Sequence, residues 1–566
     1  MTSAMTGLPP FLIFYLGAAL VLAAPARLQL VVLLVTPIVG AINLFALPMG
    51  DSAASALLGY EMTLVRADKL SMLFGYLFHL AAFLGVIFSL HLRDTMQHVA
   101  GMAYAGSALG AVYAGDLISL FVFWEMLAIS SVFLILARRS ERATRSAMRY
   151  LLIQVLSGLI LLAGVLVHLH EGGTLDVGFI GLTGLGGWLI FLALGIKCAF
   201  PLLHNWLTDA YPEATPTGAV FLSAFTTKVA VYALARMFPG VELLVYIGAT
   251  MTMFPIFYAV IENDLRRVLA YSMINQIGFM VCGIGLGTEL AINGAVSHAF
   301  NDVIFKGLLM MSMGAVLFRT GKINGSELGG LYKSMPWTTG FCIVGAASIS
   351  AFPLFSGFVS KSMVMVAALE EGHPIVWLAL LFASAGVFHH AGIKIPFFAF
   401  FAHDSGIRVK EAPLNMLVAM GLAAALCIFN GSYPWLLYSL LPYPVHYAPY
   451  TAAHVLTQCQ LLFFSAAAFA WLKLSGLYPP ELPSVNIDAE WSYRKALPRA
   501  AGWLRATFQP VDHELRRSVR LRLDRLLVVL FRHHGPDGVM ARTWTTGATV
   551  ACVTLIFGVI LLFSYL

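Results

Sequence analysis

Five lysines lie inside stretches otherwise apolar enough to cross a membrane: Lys197, Lys228, Lys306, Lys361 and Lys394. One glutamate, Glu125, sits in a comparable run, LISLFVFWEMLAISSVFLI. A charge at the centre of a bilayer costs about 2.5–3.5 kcal/mol on insertion scales, so such residues are rare where function does not need them. Amines and a carboxylate in that setting can pass protons along hydrogen bonds and water. Lysine suits the task because its compact amine gains and loses a proton readily when buried, whereas arginine stays charged. Burial disfavours the charged form of a carboxylate and a nearby ammonium favours it, so Glu125 with Lys197 has the make-up of a switch.

The surroundings sharpen this reading. Pro201 follows Lys197 by four residues, removing a backbone donor and freeing a carbonyl beside the lysine. Lys228 lies deep in the next apolar run, FLSAFTTKVAVYALAR. A similar arrangement follows, with Pro353 and Lys361 in SISAFPLFSGFVSKSMVMVA and Lys394 in FHHAGIKIPFFAFF. The lysine spacings are 228 − 197 = 31 and 394 − 361 = 33. Two proline-interrupted segments, each followed by a lysine-bearing one, point to an internal duplication of the kind seen in inverted-repeat transporters. Between the copies, AVSHAFNDVIFKGLLMMSMG holds His298 and Lys306 eight residues apart, on one helical face and about 12 Å from each other. Histidine titrates near neutral pH and can hand protons onward. The plainer alternatives are lysines that snorkel to the surface and histidines with ordinary structural hydrogen bonds, the latter having their best case at His389 and His390.

The elements that must position these groups are membrane helices. The chain has 566 residues, 59% hydrophobic and 11% charged, against about 25% charged in soluble domains. About 16 apolar segments reach or approach spanning length: 10–24, 28–48, 69–92, 98–115, 116–137, 148–169, 178–201, 214–238, 241–261, 268–287, 291–318, 337–364, 375–402, 413–433, 452–474 and 541–566. Long unbroken runs exclude a barrel. The net charge of +6 is no nucleic-acid signal, because the basic residues fall mainly between and after apolar segments. Arg138, Arg139, Arg142, Arg145, Arg149, Arg266, Arg267, Arg319, Lys322, Lys333, Arg408 and Lys410 fall in loops of one side. Loops 171–177, 287–290, 370–374 and 434–451, on the other side, contain no Lys or Arg. The positive-inside rule therefore places the N-terminus outside, with Arg66, Lys69 and Arg236 as outer exceptions. Residues 1–10 lack the basic region of a cleavable signal. The long polar stretch 476–540 carries Leu515, Val519, Leu523, Leu526 and Leu530 at helical spacing among arginines, as in an amphipathic helix at a headgroup surface. The six cysteines are scattered without CxxC spacing. No cofactor motif or metal-ligand pattern is present, so neither cofactor nor metal is expected, and the chain reads as a transporter without a redox or hydrolytic site of its own.

At these residues the chain resembles the antiporter-like subunits shared by Mrp-type cation/proton antiporters and respiratory complex I. The resemblance covers residues 65–475. Its most specific stretch is GIKCAFPLLHNWLTDAYPEATPTGAVFLSAFTTKVAVYALAR, supported by DLISLFVFWEMLAISS, DLRRVLAYSMINQIGF, HAFNDVIFKGLLMM and FPLFSGFVSK. It implies an all-α polytopic membrane fold with about 14 core helices, two inverted five-helix repeats and two broken helices. By motif match Glu125 and Lys197 are the family's glutamate–lysine pair, Lys228 its connecting lysine, Lys361 its second-half lysine, and His298 and Lys306 its central relay. Within the family the chain is most similar to the D-type Mrp subunit, but it adds the amphipathic stretch and a last membrane helix. That layout is similar to the largest antiporter-like subunit of complex I, whose lateral helix is much longer. The expected organisation is 1–97 peripheral helices, 98–238 first repeat, 239–402 second repeat, 403–475 further core helices, 476–540 cytoplasmic linker and 541–566 final helix.

The expected function is proton translocation in a multisubunit cation/proton antiporter of Mrp type, exchanging Na+, in the bacterial inner membrane. Its expected partners are other membrane subunits. The alternatives are a proton-pumping subunit of a complex I-like dehydrogenase, a membrane hydrogenase or an inorganic-carbon uptake complex, and a scaffold whose buried charges only specify packing.

Overall fold

The computed structural model describes residues 8–57, 60–482, 486–536, 538, 542 and 544–565, and each apolar segment read from the sequence contains helix. Its contacts divide it into two units, Met1–Asp488 and Ala489–Leu566. The first unit opens with α1 (Pro10–Ala23), α2 (Ala26–Phe45) and a hairpin of β1 (Gly50–Leu57) and β2 (Tyr60–Ala67). Then come α3 (Lys69–Ser89), α4 (Thr95–Tyr113), α5 (Leu117–Leu136), α6 (Glu141–His170), α7 (Gly184–Lys197) and α8 (Asn205–Ala210). They are followed by α9 (Pro216–Ala224), α10 (Thr226–Met237), α11 (Glu242–Ile261), α12 (Leu265–Leu286) and α13 (Glu289–Thr320). The unit ends with α14 (Pro336–Ile349), α15 (Ser356–Glu370), α16 (Pro374–Val387) running on into π-helical turns to Phe401, α17 (Leu414–Ser432), α18 (Trp435–Ser439) and α19 (Ala452–Leu474). The second unit holds α20 (Leu497–His534) and α21 (Thr546–Tyr565). Among the described residues, 12 helices are long and apolar enough to cross a membrane. The protein is an all-α polytopic membrane protein.

Helix starts follow capping chemistry. Asp68, Asp116, Ser140 and Asp264 each accept backbone amides at the first turns of α3, α5, α6 and α12. Two of these caps also join an internal repeat. Asp116 bridges to Asp176, ahead of α7, and Asp264 bridges to Asn324, ahead of α14. The same 148 residues separate both pairs of counterparts (264 − 116 and 324 − 176). The first bridge lies at a loop without Lys or Arg and the second at a basic loop.

The two breaks are copies of each other in backbone detail. Each is the tetrapeptide Ala-Phe-Pro-Leu, at 199–202 and 351–354. In both, the alanine and the leucine take left-handed conformations, with φ of 60° and 69° in the first and 59° and 73° in the second. The Phe200 amide donates to the Gly195 carbonyl and the Phe352 amide to the Ala347 carbonyl, both at 3.0 Å, closing each helix with a six-residue turn. The repeat is thus in the breaks and not in the lysines: Lys197 lies four residues before Pro201, whereas Lys361 lies eight after Pro353. The lysine spacings of 31 and 33 do not superimpose in this frame. Left-handed alanine costs about 1–2 kcal/mol, while glycine there carries an entropic cost of about 0.5–1 kcal/mol. Ala199→Gly and Ala351→Gly are each expected to raise stability slightly, by up to about 1 kcal/mol, read as a higher midpoint of heat denaturation in detergent.

Several boundaries differ from the sequence reading, each for a physical reason. Segment 214–238 is two helices meeting at Phe225, where no proline marks the change. Segment 337–364 is the broken pair α14–α15. Helix α6 starts at Glu141, so Arg142, Arg145 and Arg149 stand on it and not in a loop; Arg142 pairs with Glu213 at 2.6 Å and Arg149 with Asp209 at 2.7 Å. The hairpin between α2 and α3 is new, and with the Asp68 cap it supplies partners for two of the outer exceptions, Arg66 and Arg236. Arg66 on β2 pairs with Asp51 at 2.8 Å and Asp176 at 2.5 Å, and Arg236 pairs with Asp68. Of the stretch 476–540, residues up to Asp488 belong to the first unit. The amphipathic helix is longer than its leucine pattern indicated, and residues 483–485, 537, 539–541, 543 and 566 of the last two segments lie outside the described residues.

Candidate functional site

Three of the five buried lysines, Lys228, Lys361 and Lys394, end on a carbonyl at or beside a helix C-terminus. Lys228 is fully buried; its ammonium reaches back to the Ser223 carbonyl at 3.3 Å, across the discontinuity at Phe225. Lys361 donates to Ile349 O at 3.1 Å, the last residue of α14 before the break. Lys394 donates to Val260 O and Glu262 O, both at 2.6 Å, at the C-terminal end of α11. Helix C-termini carry partial negative charge and unpaired carbonyls, so they suit cations. Lys394 also lies in a π-helical stretch, Phe388–Lys394, a widened geometry common at functional sites. Lys306 takes a side-chain partner instead, Ser272 Oγ at 2.8 Å.

The centre of the site is a residue that the sequence reading passed over. Asp302 is fully buried on α13, four residues from His298 and four from Lys306, so the three share one helical face. Lys228 Nζ lies 2.6 Å from its Oδ2. His298, Lys306 and Lys361 all interact electrostatically with the same carboxylate. One acid is therefore paired with Lys228 of α10 and lies within electrostatic reach of His298 and Lys306 on its own helix and of Lys361 on α15. The HAFNDVIFK string contained the signal, since an acid at i+4 from a histidine and i−4 from a lysine lies between them.

His298 connects this centre to two further helices. Its Nδ1 is 3.1 Å from Ser360 Oγ on α15 and its Nε2 is 3.0 Å from Gln276 Oε1 on α12. The Gln276 amide donates to Asn275 Oδ1 at 2.7 Å, and Asn275 donates to the Thr252 carbonyl of α11. Asn301 donates to Ser356 O at 2.9 Å and accepts from Asn430 at 3.0 Å, tying α13 to α15 and α17. A polar line thus runs from α10 through α13 to α15, with side branches to α11, α12 and α17.

The structure places Glu125 and Lys197 near each other but in different contacts. Lys197 donates to the Trp124 carbonyl at 2.5 Å and lies 4.4 Å from the Trp124 ring centre. Its interaction with Glu125 is through space, outside ion-pair distance. Glu125 is half-buried and packs on Gly158 of α6, where any Cβ would collide with its Oε1. That oxygen accepts no hydrogen bond among the described residues. Of the seven residues singled out from the sequence, Lys228, His298, Lys306 and Lys361 converge on Asp302, Glu125 and Lys197 form a flank, and Lys394 stands at the far end. There Lys394 meets Glu481, at 2.9 Å, from the segment after α19. A second acid of that segment, Asp488, meets His204 at 3.1 Å and Tyr271 at 2.7 Å, just beyond the first break. No spacing in the sequence linked these acids to residues so far away along the chain.

The fold thus combines two matching helix breaks with buried titratable groups on α10, α13 and α15. The family model described as NADH:quinone oxidoreductase/Mrp antiporter, TM, matches residues 114–402, half of the chain, and the chain belongs to that family. Hydrogenase-4 component B of Escherichia coli (strain K12) is 27% identical over 421 residues, covering 65% of this chain and 62% of the relative. The D-type subunit of the Na(+)/H(+) antiporter of Alkalihalophilus pseudofirmus is 33% identical over 315 residues, covering 52% of this chain and 64% of the relative. The chain thus spans less than two thirds of the length of these curated relatives. A chain in the structure of the Mrp complex from Dietzia sp. DQ12-45-1b superimposes with a TM-score of 0.68 at 20% identity, covering 82% of this chain and 99% of that one. A chain of the membrane-bound sulfane sulfur reductase, an archaeal respiratory membrane complex, gives 0.69 at 21% identity, covering 98% and 99%. At these identities the likeness is one of fold.

Proposed function

We propose that this chain is a proton-translocating subunit of a multisubunit cation/proton antiporter of Mrp type, exchanging Na+. It would lie in the bacterial inner membrane with its N-terminus outside. The observation that carries the reading is the fully buried Lys228–Asp302 ion pair, with His298, Lys306 and Lys361 within electrostatic reach of the same carboxylate. Protons enter near Lys228, cross the His298–Asp302–Lys306 face of α13, and leave through Lys361 and Lys394. Glu125 and Lys197 set when the first site loads: a proton on Glu125 removes the negative charge that Lys197 faces. Moving each charge against 100 mV costs about 2.3 kcal/mol, so an opposing ion gradient or a coupled partner must supply it. Sodium prefers several oxygen ligands, and the buried charges here are mostly amines, so the cation takes another route.

A second reading keeps the chemistry and changes the machine. The respiratory sulfane sulfur reductase chain matches this one over 98% of its length, C-terminal unit included, where the Mrp chain matches 82%. On that reading the chain pumps protons for a redox complex of the complex I type, and co-purification with iron–sulfur subunits would establish it. For either machine, Lys197→Ala in the assembled complex is expected to cut coupled proton movement in inverted vesicles at least tenfold. Normal movement would remove the proposal.

A further inference from the structure

The segment after α19 turns back onto the bundle. Gly476, at φ 73°, ends α19, and the Leu477 and Tyr478 amides both return to the Leu472 carbonyl at 3.1 and 3.0 Å. Tyr478 is thereby buried against Phe398 and Phe469, and it stacks on His389 at 5.5 Å between ring centres. This docking carries the Glu481 side chain inward, 5% exposed, until its Oε1 is 2.9 Å from the Lys394 ammonium. Its partner Lys394 also holds the Glu262 carbonyl, in the loop joining α11 to α12, whose first turn bears Arg266 and Arg267, so Glu481 lies at the basic-loop end of α11.

Glu262, at the end of α11, is already committed. Glu262 accepts the Asn263 and Asp264 amides at 3.0 and 3.2 Å and the Asn486 amide nitrogen at 3.2 Å, and it faces Arg267 at 3.9 Å. Neither oxygen of Glu481 accepts a conventional hydrogen bond among the described residues, which leaves Lys394 as its close partner. The charged groups around it are Lys394 on the π-helical stretch, exposed Lys473 on α19 and Glu262 at the end of α11. Burial outweighs the attraction of Lys394 and holds the Glu481 carboxyl above the usual glutamate range. As the pH rises, this carboxyl therefore keeps its proton longer than a solvated glutamate does.

We propose that Glu481 is the acid through which the Lys394 end of the buried line exchanges protons with water at the basic-loop face. The proposal rests on the proton-relay reading above. In each transfer a proton leaves the Lys394 ammonium, the carboxylate takes it, and the resulting acid releases it to water; the reverse order loads the line. A salt bridge that merely fastens the segment would need the contact but not the proton.

The test is Glu481→Gln in the assembled complex, with Lys228→Ala beside it, measuring proton movement in inverted vesicles and subunit co-purification. E481Q preserves shape and can still accept from Lys394, but it carries no proton. The expected result is normal assembly with at least a tenfold loss of proton movement, and recovery of a large share by Glu481→Asp. In pH-difference infrared spectra of the wild-type complex, a protonated-carboxyl band is expected that E481Q removes and E481D shifts. Normal transport by E481Q with loss in K228A overturns the Glu481 assignment alone. Normal transport by K228A would overturn the relay reading itself. If E481Q assembles poorly, the infrared band decides, and a band unmoved in E481D overturns the proposal.

Discussion

Asp302→Ala is expected to abolish proton movement and to lower the amount of folded protein sharply. Lys228 Nζ is 2.6 Å from the carboxylate and both side chains are fully buried. Removing one partner of such a pair leaves an uncompensated charge and costs about 3–5 kcal/mol. That loss alone would not separate a relay from a packing device, because either depends on a folded bundle. The double variant Lys228→Met, Asp302→Leu separates them. Replacing both partners of a buried ion pair with apolar groups of similar size is often neutral or stabilising, so accumulation should return towards the wild-type level. Proton movement should remain below a tenth of wild type, since His298, Lys306 and Lys361 lose the acid they face. Gel filtration of detergent extracts reports the folded amount, and vesicle assays report transport. A double variant that both folds and transports would show that these charges only specify packing.

The second large effect is expected at Arg266, and it is one of stability. The sequence reading counted this residue among the loop arginines, yet it stands in the first turn of α12 and is 1% exposed. Its guanidinium donates to Ala214 O at 3.0 and 3.1 Å, to Tyr211 O at 3.3 Å and to Thr215 O at 3.3 Å. These carbonyls belong to the turn joining α8 to α9, so Arg266 clamps the first half of the chain to the second. Tyr211 O also accepts the Ala214 amide at 3.3 Å and Thr215 O the Ala219 amide at 3.0 Å, so Ala214 O is the carbonyl that depends on Arg266. A buried carbonyl left without a donor costs about 1–3 kcal/mol. Arg266→Ala is therefore expected to destabilise by about 1–3 kcal/mol, a sizeable share of the roughly 5–15 kcal/mol typical of folded proteins. Arg266→Lys should recover only part, because an ammonium lacks the planar fork that reaches three acceptors. Heat denaturation followed by loss of the monodisperse peak would measure both. Equal stability of R266A and wild type would refute the clamp.

Much of the site was legible from residue type alone. A lysine deep in a long apolar run is conspicuous whatever its partners, and Pro201 and Pro353 marked both breaks. The discontinuity at Phe225 was not legible, because no helix-breaking residue marks it; there the Thr226 amide donates to Tyr104 Oη at 3.0 Å and Lys228 to the Ser223 carbonyl at 3.3 Å. Asp302 was overlooked although its i±4 spacing lay in view; an acid within a polar string, SHAFNDVIFK, stands out less than a lysine in an apolar one. The contacts of Glu481 and Asp488 had no local signature, since the residues they meet lie beyond α16, just before α8 and on α12.

What the chain's order of residues determined by itself is the set of membrane helices, their caps, the two Ala-Phe-Pro-Leu breaks and the identity of the buried amines. These are local matters: hydrophobic length, a side chain that accepts an amide within three residues, and a proline that cannot donate. What only the tertiary structure decided is which carboxylate answers which amine. Asp302 for Lys228, Glu481 for Lys394, and a tryptophan carbonyl instead of Glu125 as the direct partner of Lys197 all depend on how helices distant in the chain pack. The physical reason is that electrostatic pairing in a water-poor interior is set by distances of a few ångströms, and those distances exist only once the helices have met.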